Sequence, residues 1–167
     1  SEMCIRDRDM VAPQGGNRLI DMTCKGFALE TASESPAPGG GSISAYMGAL
    51  AAALGTMVAN LSSHKPGWDE RWEEFSNRAE EGQGYLKTLL ALVDEDTAAF
   101  NRIMDAFKLP KGTDEEKSAR SAAIQDATLY ATEVPLRTMK AAFEVFPLVK
   151  AMAETGNPNS VSDAGVG

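Results

Sequence analysis

The chain is predicted to fold as an all-α helical bundle organised around one central helix rich in glycine and alanine. Three observations carry this. Apolar residues recur at spacings of three and four, and no segment alternates with the period of two that a strand needs. The stretch from Ser42 to Ser63 is nearly free of charge and built mostly of small residues. Helix-starting and helix-ending signals divide the remainder into long helical segments.

Taken in order, residues 1–18 show no periodicity, and Ser1 to Arg8 reads like a translated scar. This tail is expected to be non-native or a linker, with the domain proper over 19–167. A short helix is expected from Asp21 to about Ser33, with Thr23 as its cap. The run Pro36-Ala37-Pro38-Gly39-Gly40-Gly41-Ser42 follows. Pro38 stiffens the approach, three glycines let a ligand come close to the main chain, and Ser42 is placed to cap the next helix. Backbone N–H groups at the positive end of a helix suit a carboxylate or phosphate. The same run also reads as a plain loop with an N-cap.

The central helix then spans Ser42 to about Ser63, where Gly48, Ala52, Gly55 and Ala59 allow neighbouring helices to come very close. Its length approaches that of a membrane span. Ser44, Thr56 and Asn60, and the lack of Lys or Arg at its start, favour a buried helix instead. Ser63 to Gly67 is a turn holding Pro66 and the single histidine, His64, so no histidine-based triad is available. Trp68 to about Phe107 is a long helical stretch, loosened by Gly82 and Gly84 at about 1 kcal/mol each. Leu109-Pro110-Lys111-Gly112 breaks it, and Thr113 with Glu116 forms a capping box that opens the next helix. Pro135 is expected to kink or end that helix. Another runs from Leu136 to Glu154, with Pro147 as a second irregularity and Gly156 as a C-cap. Asn157-Pro158-Asn159-Ser160 reads as a loop. Ser162 to Gly167 reads as the start of a further helix, so the bundle is expected to be incomplete at its C-terminus.

The 167 residues suffice for one domain with a real core. A net charge of −8 argues against a nucleic-acid surface. Cys4 and Cys24 stand in no metal or redox spacing, which suits reduced thiols in a cytoplasmic protein. There is no zinc pattern, P-loop or secretory signal.

Among the polar residues, Asp96 stands out. On a helical wheel Leu89, Val93, Phe100, Met104 and Phe107 form one stripe, and Asp96 lies within it while Asp94, Glu95 and Asp105 point elsewhere. A carboxylate is almost never buried without a partner, so Asp96 is either a structural ion-pair member or a site residue. Lys108 and Lys111 flank the Leu109-Pro110 break. They read either as complements to the helix dipole or as a cationic lip for an acidic substrate tail, which Lys117 and Arg120 would extend. The amide, hydroxyl and carboxylate groups of Asn157, Asn159, Ser160 and Asp163 either satisfy a turn or form a polar site loop.

In sequence order, Ser35-Pro36-Ala37-Pro38-Gly39-Gly40-Gly41-Ser42, Met57-Val58-Ala59-Asn60-Leu61, Asp94-Glu95-Asp96-Thr97-Ala98-Ala99-Phe100, Lys108-Leu109-Pro110-Lys111, Val134-Pro135-Leu136 and Gly156-Asn157-Pro158-Asn159-Ser160-Val161-Ser162-Asp163-Ala164-Gly165-Val166-Gly167 resemble the cyclodeaminase/cyclohydrolase family of folate enzymes. The resemblance covers about Leu19 to Gly167. It implies an all-helical domain that pairs into dimers, with a tetrahydrofolate derivative as substrate in a groove near the interface and no metal. The implied reaction is the deaminating cyclisation of 5-formimidoyltetrahydrofolate to 5,10-methenyltetrahydrofolate and ammonia, a step of histidine degradation. The alternatives are a methenyltetrahydrofolate cyclohydrolase and a non-catalytic helical dimerisation module. Under the resemblance Asp96 and Asp163 are the catalytic candidates. Pro38, Gly39, Gly40, Gly41, Ser42, Asn60, Asn157, Asn159 and Ser160 would shape the folate pocket, and Lys108 and Lys111 would hold its glutamate tail.

Overall fold

A computed structural model describes residues 18–167; the tail expected over 1–18, Arg18 apart, lies outside the described residues, as does Cys4. The described chain is an all-α bundle of five helices: α1 (Cys24–Thr31), α2 (Gly40–Ser63), α3 (Trp72–Lys108), α4 (Asp114–Thr155) and α5 (Val161–Val166). Single 3-10 turns at Leu19–Asp21, Asp69–Arg71 and Pro158–Ser160 join them.

Helix α2 is the hub. Ala45, Ala49, Ala52, Val58 and Ala59 are fully buried. A methyl group at Gly48 would meet Leu89 of α3 and Ala142 of α4, and one at Gly55 would meet Val149 and Leu148 of α4. The small residues are therefore what lets three backbones share one core. Gly82 serves the same purpose from α3. A Cβ there would lie 2.1 Å from Thr56 Oγ1, so this glycine is a point of close approach and does not merely loosen the helix. The pairings run Gly41 with Asp96 and Thr56 with Gly82, so α3 is antiparallel to α2. Gly48 with Ala142 and Gly55 with Leu148 make α4 parallel to it.

Thr23 caps α1 by accepting from the Gly26 amide, as expected, and Phe27 packs on Tyr46 of α2 with ring centroids 5.2 Å apart. The turn after α2 is held by Trp68, which stacks on buried Phe75, lies under Lys65 Nζ at 3.9 Å, and has Arg71 beside it. Both halves of the capping box of Thr113 and Glu116 form at the start of α4.

Four expectations are corrected. Helix α2 begins at Gly40 with Gly39 as its N-cap, so Ser42 is not the cap but a buried first-turn residue. Pro135 does not end its helix: α4 runs through both Pro135 and Pro147 for 42 residues. Both prolines are exposed, while Val134, Thr138, Ala141, Val145, Leu148 and Val149 of the same helix are buried in the core. The lost backbone bond is thus outweighed by the packing of these buried residues. The stripe on α3 is buried only at Leu89 and Val93, whereas Phe100, Met104 and Phe107 are exposed. Beyond Asp96, α3 and α4 extend past the start of α2 as a two-helix arm, so among the described residues no third helix covers those side chains. Finally, Asn157–Ser160 is not an open loop: Pro158–Ser160 forms a 3-10 turn tied to α2 by the Asn157 amide, which donates to Ser62 Oγ at 2.8 Å.

Candidate functional site

The first turn of an α-helix leaves its amides without intrahelical partners. In α2 one of them is met from across the bundle. The Ser42 amide donates to Asp96 Oδ2 at 2.9 Å, linking residues 54 apart in sequence. Ser42 Oγ lies 2.8 Å from the Val93 carbonyl and 3.1 Å from Oδ2, so its one hydrogen is shared between them. Thr97 Oγ1, at 3.3 Å, completes the group. The Asp96 carboxylate is seated directly over Gly41, where a Cβ would fall 2.0 Å from Oδ1. Among the described residues Asp96 has no cationic partner, so it is not a member of an ion pair there. It is the counter-charge of a helix N-terminus, and Gly41 is the space it occupies.

Asp96 is also a wall between two hollows. One, of about 160 Å³, is lined by Pro36, Ala37, Gly39, Thr97, Phe100 and Ile103 among others. The second, of about 430 Å³, is lined by Gly40, Gly41, Ser44, Asp96, Pro135, Thr138, Met139 and Ala142. The amides of Gly40 and Gly41 stand at its edge with no partner inside the helix. The glycine run thus does present donors at a helix start, and a carboxylate does sit there, but the chain supplies it.

The neighbouring acids have other duties. Asp94 accepts from the Leu19 amide at 2.6 Å. Glu95 accepts from Tyr130 Oη at 2.5 Å and pairs with Arg137, joining α3 to α4. The Arg137 guanidinium holds the Glu95 carboxyl below its ordinary value, with the Tyr130 bond assisting against partial burial. Hydrogen bonding to Glu95, then burial, pushes the Tyr130 hydroxyl up.

A third hollow, of about 850 Å³, lies at the other end of α2, lined by Thr56, Met57, Asn60, Leu61, His64, Lys65, Gln83, Leu86, Asn157 and Asn159 with their neighbours. His64 Nδ1 is bonded to Ser63 Oγ at 2.8 Å and to the Asn60 carbonyl at 3.0 Å.

The residues singled out from sequence therefore fall into separate groups. Gly39, Gly40, Gly41, Ser42 and Asp96 meet at the start of α2, with Pro38 buried beside them. Asn60, Asn157 and Asn159 meet near its end, roughly 30 Å away at 1.5 Å per residue. The glycine run and the Asn157–Ser160 segment thus do not line one pocket within a single chain. Ser160 is buried, and Asp163 is a partly buried residue in the first turn of α5 that lines none of these hollows. Because α5 packs by Ala164 on the cluster around Val58 and Ala59, Asp163 stands about 25 Å from Asp96. Lys108 and Lys111 are at the tip of the arm, Lys108 paired with Asp105 at 2.8 Å. Lys117 pairs with Asp114, and Arg120 donates to the Phe107 carbonyl. Three of those four cations are thus already engaged. Thr138 carries no signal in the sequence, since a threonine inside a helix reads as an ordinary hydroxyl bonding back to its own backbone.

A model of the formiminotransferase-cyclodeaminase family matches residues 23–167. A methenyltetrahydrofolate cyclohydrolase from Methylorubrum extorquens is 42% identical over 151 residues, covering 90% of this chain and 71% of that protein. A formimidoyltransferase-cyclodeaminase from Mus musculus is 32% identical over 93% of this chain, which spans only 29% of the mouse protein. Among solved structures, formiminotetrahydrofolate cyclodeaminase from Thermotoga maritima superposes with a TM-score of 0.72 at 29% identity, over 86% of this chain and 68% of that one. Fold and sequence agree: the chain belongs to the formiminotransferase-cyclodeaminase family of folate-processing enzymes.

Proposed function

We propose that this chain binds a reduced folate at the Asp96 end of α2 and acts on the one-carbon unit held between N5 and N10. The observation that carries the reading is the Asp96 carboxylate, fixed over Gly41 and facing the hollow of about 430 Å³. Both reactions of the family's named members pass a positive charge across that carbon. A preorganised anion stabilises such a charge without having to reorganise during the reaction. Oδ2 accepts from Ser42, so the fixed geometry suits Asp96 to charge stabilisation and to orienting an attacking or departing group.

Hydrolysis of 5,10-methenyltetrahydrofolate is the favoured reaction, supported by the 42% identity to the Methylorubrum cyclohydrolase. Water adds to the methenyl carbon, the carbon–N5 bond breaks, and a proton is released with 10-formyltetrahydrofolate. The second reading is deaminating cyclisation, supported by the cyclodeaminases among the relatives. There N10 attacks the formimidoyl carbon on N5 and ammonia departs. Homodimer formation belongs to the same proposal; the exposed Met47, Leu50, Met139, Phe143 and Phe146 support it. So does a cytoplasmic location, suggested by the cysteine usage.

The test is turnover of both substrates by the full chain, following loss of the methenyl chromophore and release of ammonia. Asp96→Asn should lower kcat by 10²-fold or more while folate binding survives. Near-wild-type turnover by this variant would remove Asp96 from the reaction.

A further inference from the structure

Thr138 Oγ1 is the one buried side-chain polar atom among the described residues that has no hydrogen-bond partner. The residue is 4% exposed. Its isolation is unusual for this chain. Helical hydroxyls elsewhere bond back to the carbonyl four residues earlier: Thr56 to Ala52 at 2.7 Å, Ser62 to Val58 at 2.6 Å, and on α4 itself Thr128 to Ile124 at 2.7 Å and Thr132 to Thr128 at 2.9 Å. A buried hydroxyl left unsatisfied costs about 1–3 kcal/mol. Thr138 is one of the residues lining the hollow that Asp96 and the start of α2 also line.

The lining of that hollow is divided by chemistry. Pro135, Met139 and Ala142 give apolar surface, while Asp96, Thr138 and the first-turn amides of α2 give polar groups at its edges. Its volume of about 430 Å³ lies within the range of small-molecule sites. A flat heteroaromatic ring with hydrogen-bonding edges matches this division. A phosphate does not, because the carboxylate already occupies the anion position at the helix start.

We infer that the Thr138 hydroxyl is a specificity-determining contact: it hydrogen-bonds a polar edge atom of the reduced pterin ring, seated between the start of α2 and the Pro135–Ala142 face of α4. This rests on the proposed folate reading and adds to it which part of the substrate enters the hollow and which residue selects it. The contact is made to the bound ground state, so its loss appears in Kd and KM more than in kcat.

The experiment titrates the full chain calorimetrically with 5-formyltetrahydrofolate, a stable reduced folate carrying a one-carbon unit on N5. It compares wild type, Thr138→Val, which keeps the shape and removes the hydroxyl, and Thr138→Ser, which restores it. The expected result is a Kd weakened about three- to tenfold by Thr138→Val and returned to within about twofold of wild type by Thr138→Ser. The Tm of Thr138→Val should equal or exceed that of wild type, because the unsatisfied hydroxyl is gone. A purely structural threonine, or one served by water alone, predicts a Kd that Thr138→Val leaves unchanged. That outcome with a folate-binding wild type overturns the Thr138 contact alone. A wild type that binds no reduced folate overturns the functional reading and the contact with it. Should Thr138→Val not fold, Thr138→Ala must weaken binding while Thr138→Ser does not.

Discussion

Gly41→Ala isolates the junction on which the candidate site is built. The added Cβ would stand 2.0 Å from Asp96 Oδ1, 2.5 Å from its Cγ and 2.8 Å from Oδ2, so the carboxylate has to move. Moving it breaks the 2.9 Å bond from the Ser42 amide, a hydrogen bond to a charged group worth about 1.5–3 kcal/mol. The favourable placement of a negative charge at the start of α2 goes with it, at about 0.3–1 kcal/mol. Against this, alanine gains up to about 1 kcal/mol in helix propensity over glycine. The net expectation is a loss of about 2 kcal/mol, or a fall in Tm of about 4–8 °C for a chain of this size. The neighbouring residue is the control. Gly40 lies in the same turn, and a Cβ there meets nothing within 4 Å. Gly40→Ala should therefore be neutral or stabilising by up to about 1 kcal/mol. Urea denaturation of both variants reads the difference directly. If Gly41→Ala and Gly40→Ala have equal stability, the carboxylate is not held where the structure places it.

Other expectations concern the packing and the α3–α4 contact. Gly82→Ala brings a methyl group to 2.1 Å from Thr56 Oγ1 and 2.9 Å from Leu148 Cδ2, so it should destabilise by about 1–3 kcal/mol, whereas Gly84→Ala, with open space around it, should not; thermal melts separate the two. Glu95 has a folded-state pKa below its ordinary 4.5 because of Arg137, so around pH 4 the unfolded chain binds more protons than the folded one. Its contribution to stability is thus complete above about pH 4.5 and fades as the pH falls through the lowered value. The stability difference between wild type and Glu95→Gln should shrink on acidification below pH 4.5, and a pH-independent difference in denaturant titrations would contradict the pairing.

Most of the helical order was legible because it depends on short-range signals. Thr23, the Thr113–Glu116 box and the Leu109–Gly112 break act within a few residues of themselves, and each appears where its local chemistry requires. Asp96 was legible as an oddity, since a charge in an apolar stripe violates the pattern. Its partner was not, because periodicity along α3 contains nothing about which helix end abuts it. The exposure of Phe100, Met104 and Phe107 has the same origin: a stripe shows that a face is apolar, not where the covering helix stops. Pro135 misled because its local cost is real. That it is exposed while Val134 and Thr138 near it are buried is a tertiary fact. Thr138 gave no signal, since only the third dimension shows that its hydroxyl lacks a partner.

The bond between Ser42 and Asp96 also bears on the order in which the molecule assembles. Taken alone, α2 opens with Gly39, Gly40 and Gly41, which have no capping side chain and the highest backbone entropy to surrender. Its helical nucleus has to form in the alanine-rich middle, around Ala49 to Ala53, and spread outward. The N-terminal turn closes only when α3 arrives with Asp96. Loop-closure entropy over a sequence separation of 54 then stands between an α2 that is helical in its centre and one that is complete. Slow exchange of the Ser42 amide hydrogen is accordingly a clock for helix docking rather than for helix formation, and the pocket wall becomes the last part of the central helix to exist.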